Sequence, residues 1–172
     1  ERRVLRLLIV RDLKIKYADS YLGWLWSILD PLLMALVYWF VFSMIFPRPA
    51  KTSPYLVFLL LGILPWHWAS GVINSATNAI SGPSKLIRST SIPREIWVLR
   101  IVGAKFIEFL LSIPIVIVAM IALGAKPNEY TFTVPLAMVL QAMFLTGVAL
   151  AVAPIAVMVP DLERLMRIVM RI

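Results

Sequence analysis

Cysteine is absent from this 172-residue chain, histidine occurs once, and charged residues make up only 15% of the total. The missing cysteines remove disulfides, thiol catalysis and Cys-based metal sites, while leaving the compartment open. The lone His67 has no His, Cys or acidic residue at ligand spacing in its own run, so metal binding and proton chemistry lack partners there. A Gly-x-x-x-x-Gly-Lys-Ser/Thr loop is also missing, which excludes phosphate-loop nucleotide hydrolysis by this chain. What the chain has instead is 61% hydrophobic residues and a mean hydropathy of +0.89. A soluble domain averages about 45–50% apolar and about 25% charged residues, so the composition is that of a membrane protein. Seventeen Lys+Arg against nine Asp+Glu give a formal charge of +8. Nucleic-acid binders spread such charge over a hydrated face, and the apolar stretches leave none. Bilayer phosphates and cytoplasmic partners are the expected counterparts, and nucleic acid is not.

A spanning helix needs about 20 predominantly apolar residues, and four such runs occur, at about 22–46, 55–80, 97–123 and 132–159. They leave a polar head (1–21), three short connections including 81–96, and a tail (160–172), with nothing that could fold as a soluble domain. The head, the second connection with the start of the third span, and the tail carry 14 of the basic residues, whereas Arg48, Lys51 and Lys126 are the 3 on the other side. The positive-inside rule therefore places the N-terminus, residues 81–96 and the tail in the cytoplasm. The head is too long and too charged for a secretory signal. The chain opens at Glu1 without a methionine and closes inside a helical pattern of Leu162, Leu165, Ile168, Val169 and Ile172, so it is expected to be part of a longer protein.

Several residues interrupt the spans. A carboxylate at membrane depth is costly unless it is paired, hydrated or used, and Asp30-Pro31 is expected to act as an N-cap and first helical residue. Residues 22–29 would then enter the membrane as a separate bent segment. Pro65 kinks the second span, and His67 is expected to make a polar contact within the bundle. Gly71, Ser75 and Ala79 form a small-residue stripe that admits a close neighbour. Trp24, Trp26 and Trp97 fit an interfacial aromatic belt, while Tyr38 and Trp39 lie deeper. In the third span Lys105 and Glu108 are three apart and can pair, Arg100 can snorkel outward, and Gln141 in the fourth is expected to bond between helices.

The head mixes its bases with Val4, Leu8, Ile15 and Leu22 in helical phase, with Arg11 inside the same stripe. It reads as a helix lying at the interface against anionic head groups. Gly82-Pro83 and Pro93 bracket Ser84 to Ile92, long enough for two helical turns, since proline stops helices from running through it. A short, basic, punctuated helix between spans suits the docking of a cytoplasmic partner.

Three stretches then carry a resemblance: Arg11-Asp12-Leu13-Lys14-Ile15-Lys16-Tyr17; Tyr21-Leu22-Gly23-Trp24-Leu25-Trp26-Ser27-Ile28-Leu29-Asp30-Pro31; and Lys85-Leu86-Ile87-Arg88 with Ile92-Pro93-Arg94-Glu95-Ile96-Trp97. On these the chain resembles the membrane permeases of ABC-2-type exporters for lipid-linked polysaccharides such as O-antigen, capsule, teichoic acid and galactan. The resemblance implies an all-α polytopic transmembrane helix bundle, the N-terminal part of a six-span permease, in a bacterial plasma membrane. It implies a homodimer of permeases working with two copies of a separate cytoplasmic ATPase that holds ATP and Mg, with no cofactor on this chain and no catalysis by it. Ser84, Lys85, Leu86, Ile87, Arg88, Pro93, Arg94 and Glu95 would form the coupling helix to that ATPase. Arg2, Arg3, Arg6 and Arg11, with Leu22 and Gly23, would border the entrance for the lipid head group, and Tyr38, Trp39 and Phe42 would line the glycan path. An exporter of the same architecture for a drug or lipid, or a non-transporting membrane assembly subunit, are the alternatives.

Overall fold

An apolar segment in a bilayer must satisfy its backbone internally, and a helix does so within one run. The computed structural model describes residues 2–17, 25–41, 55–80, 82, 92–126 and 129–170. Among these residues the chain is all-α: α1 (Arg2–Tyr17), α2 (Trp26–Phe40), α3 (Tyr55–Ala76), α4 (Arg94–Ala122), α5 (Val134–Met158) and α6 (Asp161–Val169), with a 3₁₀ turn at Glu129–Thr133. The helices α3 and α4 and the segment Thr131–Met158 are long and apolar enough to cross a membrane, and α2 contributes a shorter apolar stretch, Leu29–Phe40. At 1.5 Å per residue, the 29 residues of α4 reach about 44 Å, longer than a hydrocarbon core of about 30 Å. Gly124, with φ +67°, ends α4 in a left-handed turn in which the Ala125 N–H bonds the Met120 carbonyl at 2.9 Å.

The bundle is built around α3 and α4. α3 buries Val57, Leu60, Leu64, Trp68, Val72 and Ala76, a single stripe at steps of three and four. Against it α4 sets Val98, Ile101, Val102, Phe109 and Val116. The Trp68 ring stacks on Phe109 with centroids 4.7 Å apart and planes 15° apart. α5 approaches on Leu145, Ala149 and Ala153, which recur every four residues. Hydrophobic burial does not drive helix association inside lipid, so close packing of small side chains carries that contact. Gly71 of the sequence stripe faces α4: a Cβ there would lie 3.4 Å from the Lys105 side chain.

Each of the four apolar helices holds an internal proline: Pro31, Pro65, Pro114 and Pro154. At one of them the expected interhelical bond from Gln141 is found, its Nε2 donating to the Pro65 carbonyl at 2.9 Å. The expected break at Asp30-Pro31 is corrected. Trp26–Phe40 is one continuous helix that starts four residues before Asp30, and Asp30 caps nothing. Because Pro31 sits in the second turn, the bond it removes belongs to a first-turn carbonyl, and the helix runs through it unbroken. Pro31 is fully buried, as is Ala35 one turn on.

Candidate functional site

The charged residues of α1 do not simply face outward. Leu8 packs with Ile96 and Trp97, Leu13 with Ala104, and Ile9 reaches Gly103, where a Cβ would lie 2.6 Å from the Ile9 Cδ1. That close approach places two carboxylates between α1 and α4. Asp12 accepts from Arg100 Nη1 through Oδ2, and from Arg11 Nη2 at 3.2 Å through Oδ1. One turn further along α1 and two along α4, Glu108 accepts from Lys16 at 2.8 Å through Oε1 and from Lys105 at 3.0 Å through Oε2. Each carboxylate thus spends one oxygen on a cation of α1 and the other on a cation of α4, an arrangement that ties the helices at two points.

This geometry revises three expectations. Arg100 does not snorkel: it is buried, donates from Nε to the Trp97 carbonyl at 3.1 Å, and lies 5.1 Å above the Trp97 ring. Trp97 is completely buried rather than placed in an aromatic belt, because α1 covers it. The buried stripe of α1 centres on Leu8 and Leu13, and Ile15 is 65% exposed, so the phase assumed from Val4, Leu8 and Ile15 holds only in its first part. The Lys105–Glu108 pair forms as its spacing predicts.

Two recesses flank the Lys16–Glu108–Lys105 trio. A cavity of about 40 Å³ lies between α2, α3 and α4, lined by Asp30, Pro31, His67, Lys105, Glu108 and Ser112 among others. It has room for a few water molecules and polar groups to hold them. A more open cleft of about 230 Å³ lies between α1, α3 and α4, with Asp12, Lys16, Ser75, Lys105 and Glu108 on its walls. The trio forms part of the wall of both. Sequence reasoning treated Asp30, His67 and the Lys105–Glu108 pair separately; their shared signal was an ionisable residue at membrane depth. Among the described residues no group of His, Cys, Asp or Glu could hold a metal ion.

The sequence profile described as ABC-2 type transporter matches residues 3–172. The chain belongs to the ABC-2 type transporter family. It is 34% identical over 156 residues to an O-antigen export system permease protein RfbA of Klebsiella pneumoniae, which covers 90% of this chain and 59% of that protein. It is 30% identical over 164 residues to the protein of that name from Myxococcus xanthus, with 95% and 62% covered. The polysialic acid transport protein KpsM of Escherichia coli is 32% identical over 73 residues, 42% of this chain and 28% of that protein. The chain therefore spans about three-fifths of the length of its first curated relatives.

Within this ABC-2 chain the expected site residues fall as follows. Ser84, Lys85, Leu86, Ile87 and Arg88 lie outside the described residues, as do Leu22, Gly23 and Phe42. Pro93 is the N-cap of α4, and Arg94 and Glu95 are exposed in its first turn. They border a cleft of about 390 Å³ closed on the far side by Leu150, Pro154 and Met158 of α5. Arg2, Arg3, Arg6 and Arg11 are on α1; Arg3 and Arg6 are exposed, and Arg11 is half-buried against Asp12. Tyr38 and Trp39 are exposed near the end of α2 on adjoining faces.

Proposed function

We propose that this chain is the membrane permease part of an ATP-driven ABC exporter that carries lipid-linked polysaccharide, a polyprenyl-pyrophosphate glycan, across the bacterial plasma membrane. The observation that supports this reading is the 30–34% identity to proteins named O-antigen export permeases across 90–95% of the chain. In it, two permeases pair with a separate cytoplasmic ATPase that binds ATP and Mg, and this chain performs no covalent chemistry. The N-terminus and residues 81–96 face the cytoplasm, on the side holding 14 of the 17 basic residues.

In the mechanism we favour, the ATPase acts on the coupling segment, from Ser84 to Glu95. Pro93, Arg94 and Glu95 lead directly into α4, so displacement of the segment moves α4 as a rod. The Asp12–Arg100 and Lys16–Glu108 pairs carry that motion into α1. Arg2, Arg3, Arg6 and Arg11, with Leu22 and Gly23, attract the pyrophosphate head group, and Tyr38, Trp39 and Phe42 stack on sugar rings. Ring stacking needs no fixed hydrogen-bond register, which suits a long polymer that must slide.

Complementation of a permease-deleted strain tests the reading. The full-length permease carrying this chain should restore surface polysaccharide and co-purify with the ATPase encoded beside it. Ile87→Pro should leave ATP hydrolysis running while export stops. A permease that brings down no ATPase, and that exports normally after charge reversal at both Arg88 and Arg94, refutes the reading.

A further inference from the structure

We infer that Lys16 and Lys105 form a receptor for a phosphate-bearing head group, with Glu108 as an internal anion that occupies it until the ligand arrives. Two ammonium groups from different helices converge on one carboxylate, one on each oxygen, at 2.8 and 3.0 Å. A phosphate presents pairs of oxygens at nearly the separation of a carboxylate's, so it can replace Glu108 without moving either lysine far. The site is reachable. Lys16 keeps 46% of its side chain exposed, and the 230 Å³ cleft beside the trio is walled by Ser75, whose hydroxyl can donate to a further oxygen. Asp12 shares this cleft but is already held by Arg11 and Arg100, so its charge is largely countered. Asp30 lies on the other side of the trio, in the smaller cavity. Displacing Glu108 from Lys16 also exchanges one of the two direct ties between α1 and α4 for one bridged by the ligand, so occupancy makes that contact depend on the ligand. That consequence rests on the exporter reading only where the phosphate is identified with the transported lipid; bilayer phospholipid offers the same chemistry.

The test uses the full-length permease with its ATPase in phosphatidylcholine nanodiscs and measures equilibrium binding of radiolabelled farnesyl diphosphate. Glu108→Gln removes the competing anion and should tighten binding about tenfold, the equivalent of one charge-assisted hydrogen bond. Lys105→Gln should weaken it by about tenfold or more, and Lys105→Arg should restore it to within about threefold. A merely structural clasp predicts no gain in affinity for Glu108→Gln. Unchanged or weaker binding in Glu108→Gln, in a complex that still elutes as one assembly, overturns the proposal. So does Lys105→Gln binding as wild type does, and if that variant fails to assemble, Glu108→Gln and Lys105→Arg decide alone. Competition by phosphatidylglycerol equal to that of unlabelled farnesyl diphosphate supports the site and assigns it to bilayer lipid; competition by the isoprenoid alone assigns it to the transported lipid. Wild-type export is measured in parallel. Normal export with binding unaffected by these changes removes this site and leaves the exporter reading standing, whereas loss of the ATPase and of export removes that reading itself.

Discussion

Cutting the Asp12–Arg100 pair should release α1 from α4 by a calculable amount. Asp12→Asn keeps the shape of the side chain but leaves the guanidinium of Arg100, only 8% exposed, without its counter-charge. Removing one partner of a buried ion pair costs about 3–5 kcal/mol. Asp12 itself retains 24% side-chain exposure, so water offsets part of the loss, and the expected cost is about 2–3 kcal/mol. At 1.4 kcal/mol per tenfold, amide hydrogen exchange in α1 should accelerate roughly 30- to 150-fold. Exchange in the centre of α3, which packs on other faces, should stay as it is. Pairing the change with Arg100→Met supplies the control. The methionine covers Trp97 without a charge to satisfy, so the double variant should recover most of the single variant's loss, with a coupling of about 2 kcal/mol. Unaltered exchange in Asp12→Asn, or a double variant as fast as the single, refutes the idea that this pair holds α1 down.

Three further outcomes follow from the packing. Trp97→Ala removes a fully buried ring against Leu8 and Ile96 and should cost about 3 kcal/mol, seen as a lower melting temperature and faster proteolysis of α1, with Trp97→Phe recovering about half. Gln141→Leu loses the donor to the Pro65 carbonyl and should cost about 1 kcal/mol, read as faster exchange in the turn after Pro65 rather than throughout α3. Gly71→Ala should be tolerated, since its Cβ meets Lys105 at an ordinary 3.4 Å, whereas Gly71→Leu must push the Lys105 stem aside and should reproduce the weakened farnesyl diphosphate binding expected of Lys105→Gln.

Three of the four expected runs, 55–80, 97–123 and 132–159, were legible in the sequence because hydrophobicity accumulates along the chain and needs no partner to be read, whereas 22–46 is represented among the described residues by the shorter α2. The bond from Gln141 was legible for a related reason: a lone amide in an apolar run has few places to go but another helix. Asp30-Pro31 misled. The dipeptide carries a strong local signal for a helix start, but a proline in a second turn removes only one terminal bond, and the apolar residues from Trp26 onward had more to gain from helix than the cap did.

Position along a span also misled wherever another helix covered the surface. Trp97 and Arg100 stand where an aromatic belt and a snorkelling cation are expected, but both expectations assume that lipid and water are the neighbours. With α1 across them the tryptophan becomes core and the arginine an ion-pair partner, through a contact to a residue 88 positions away. Lys105 and Glu108 show the same limit within one element. Helix geometry brings positions three apart together, so their pairing followed from spacing. Spacing stops at a neutral pair. A second ammonium group converging on the same carboxylate is what makes that pair a junction open to anion exchange, and α1 delivers it from 92 positions away.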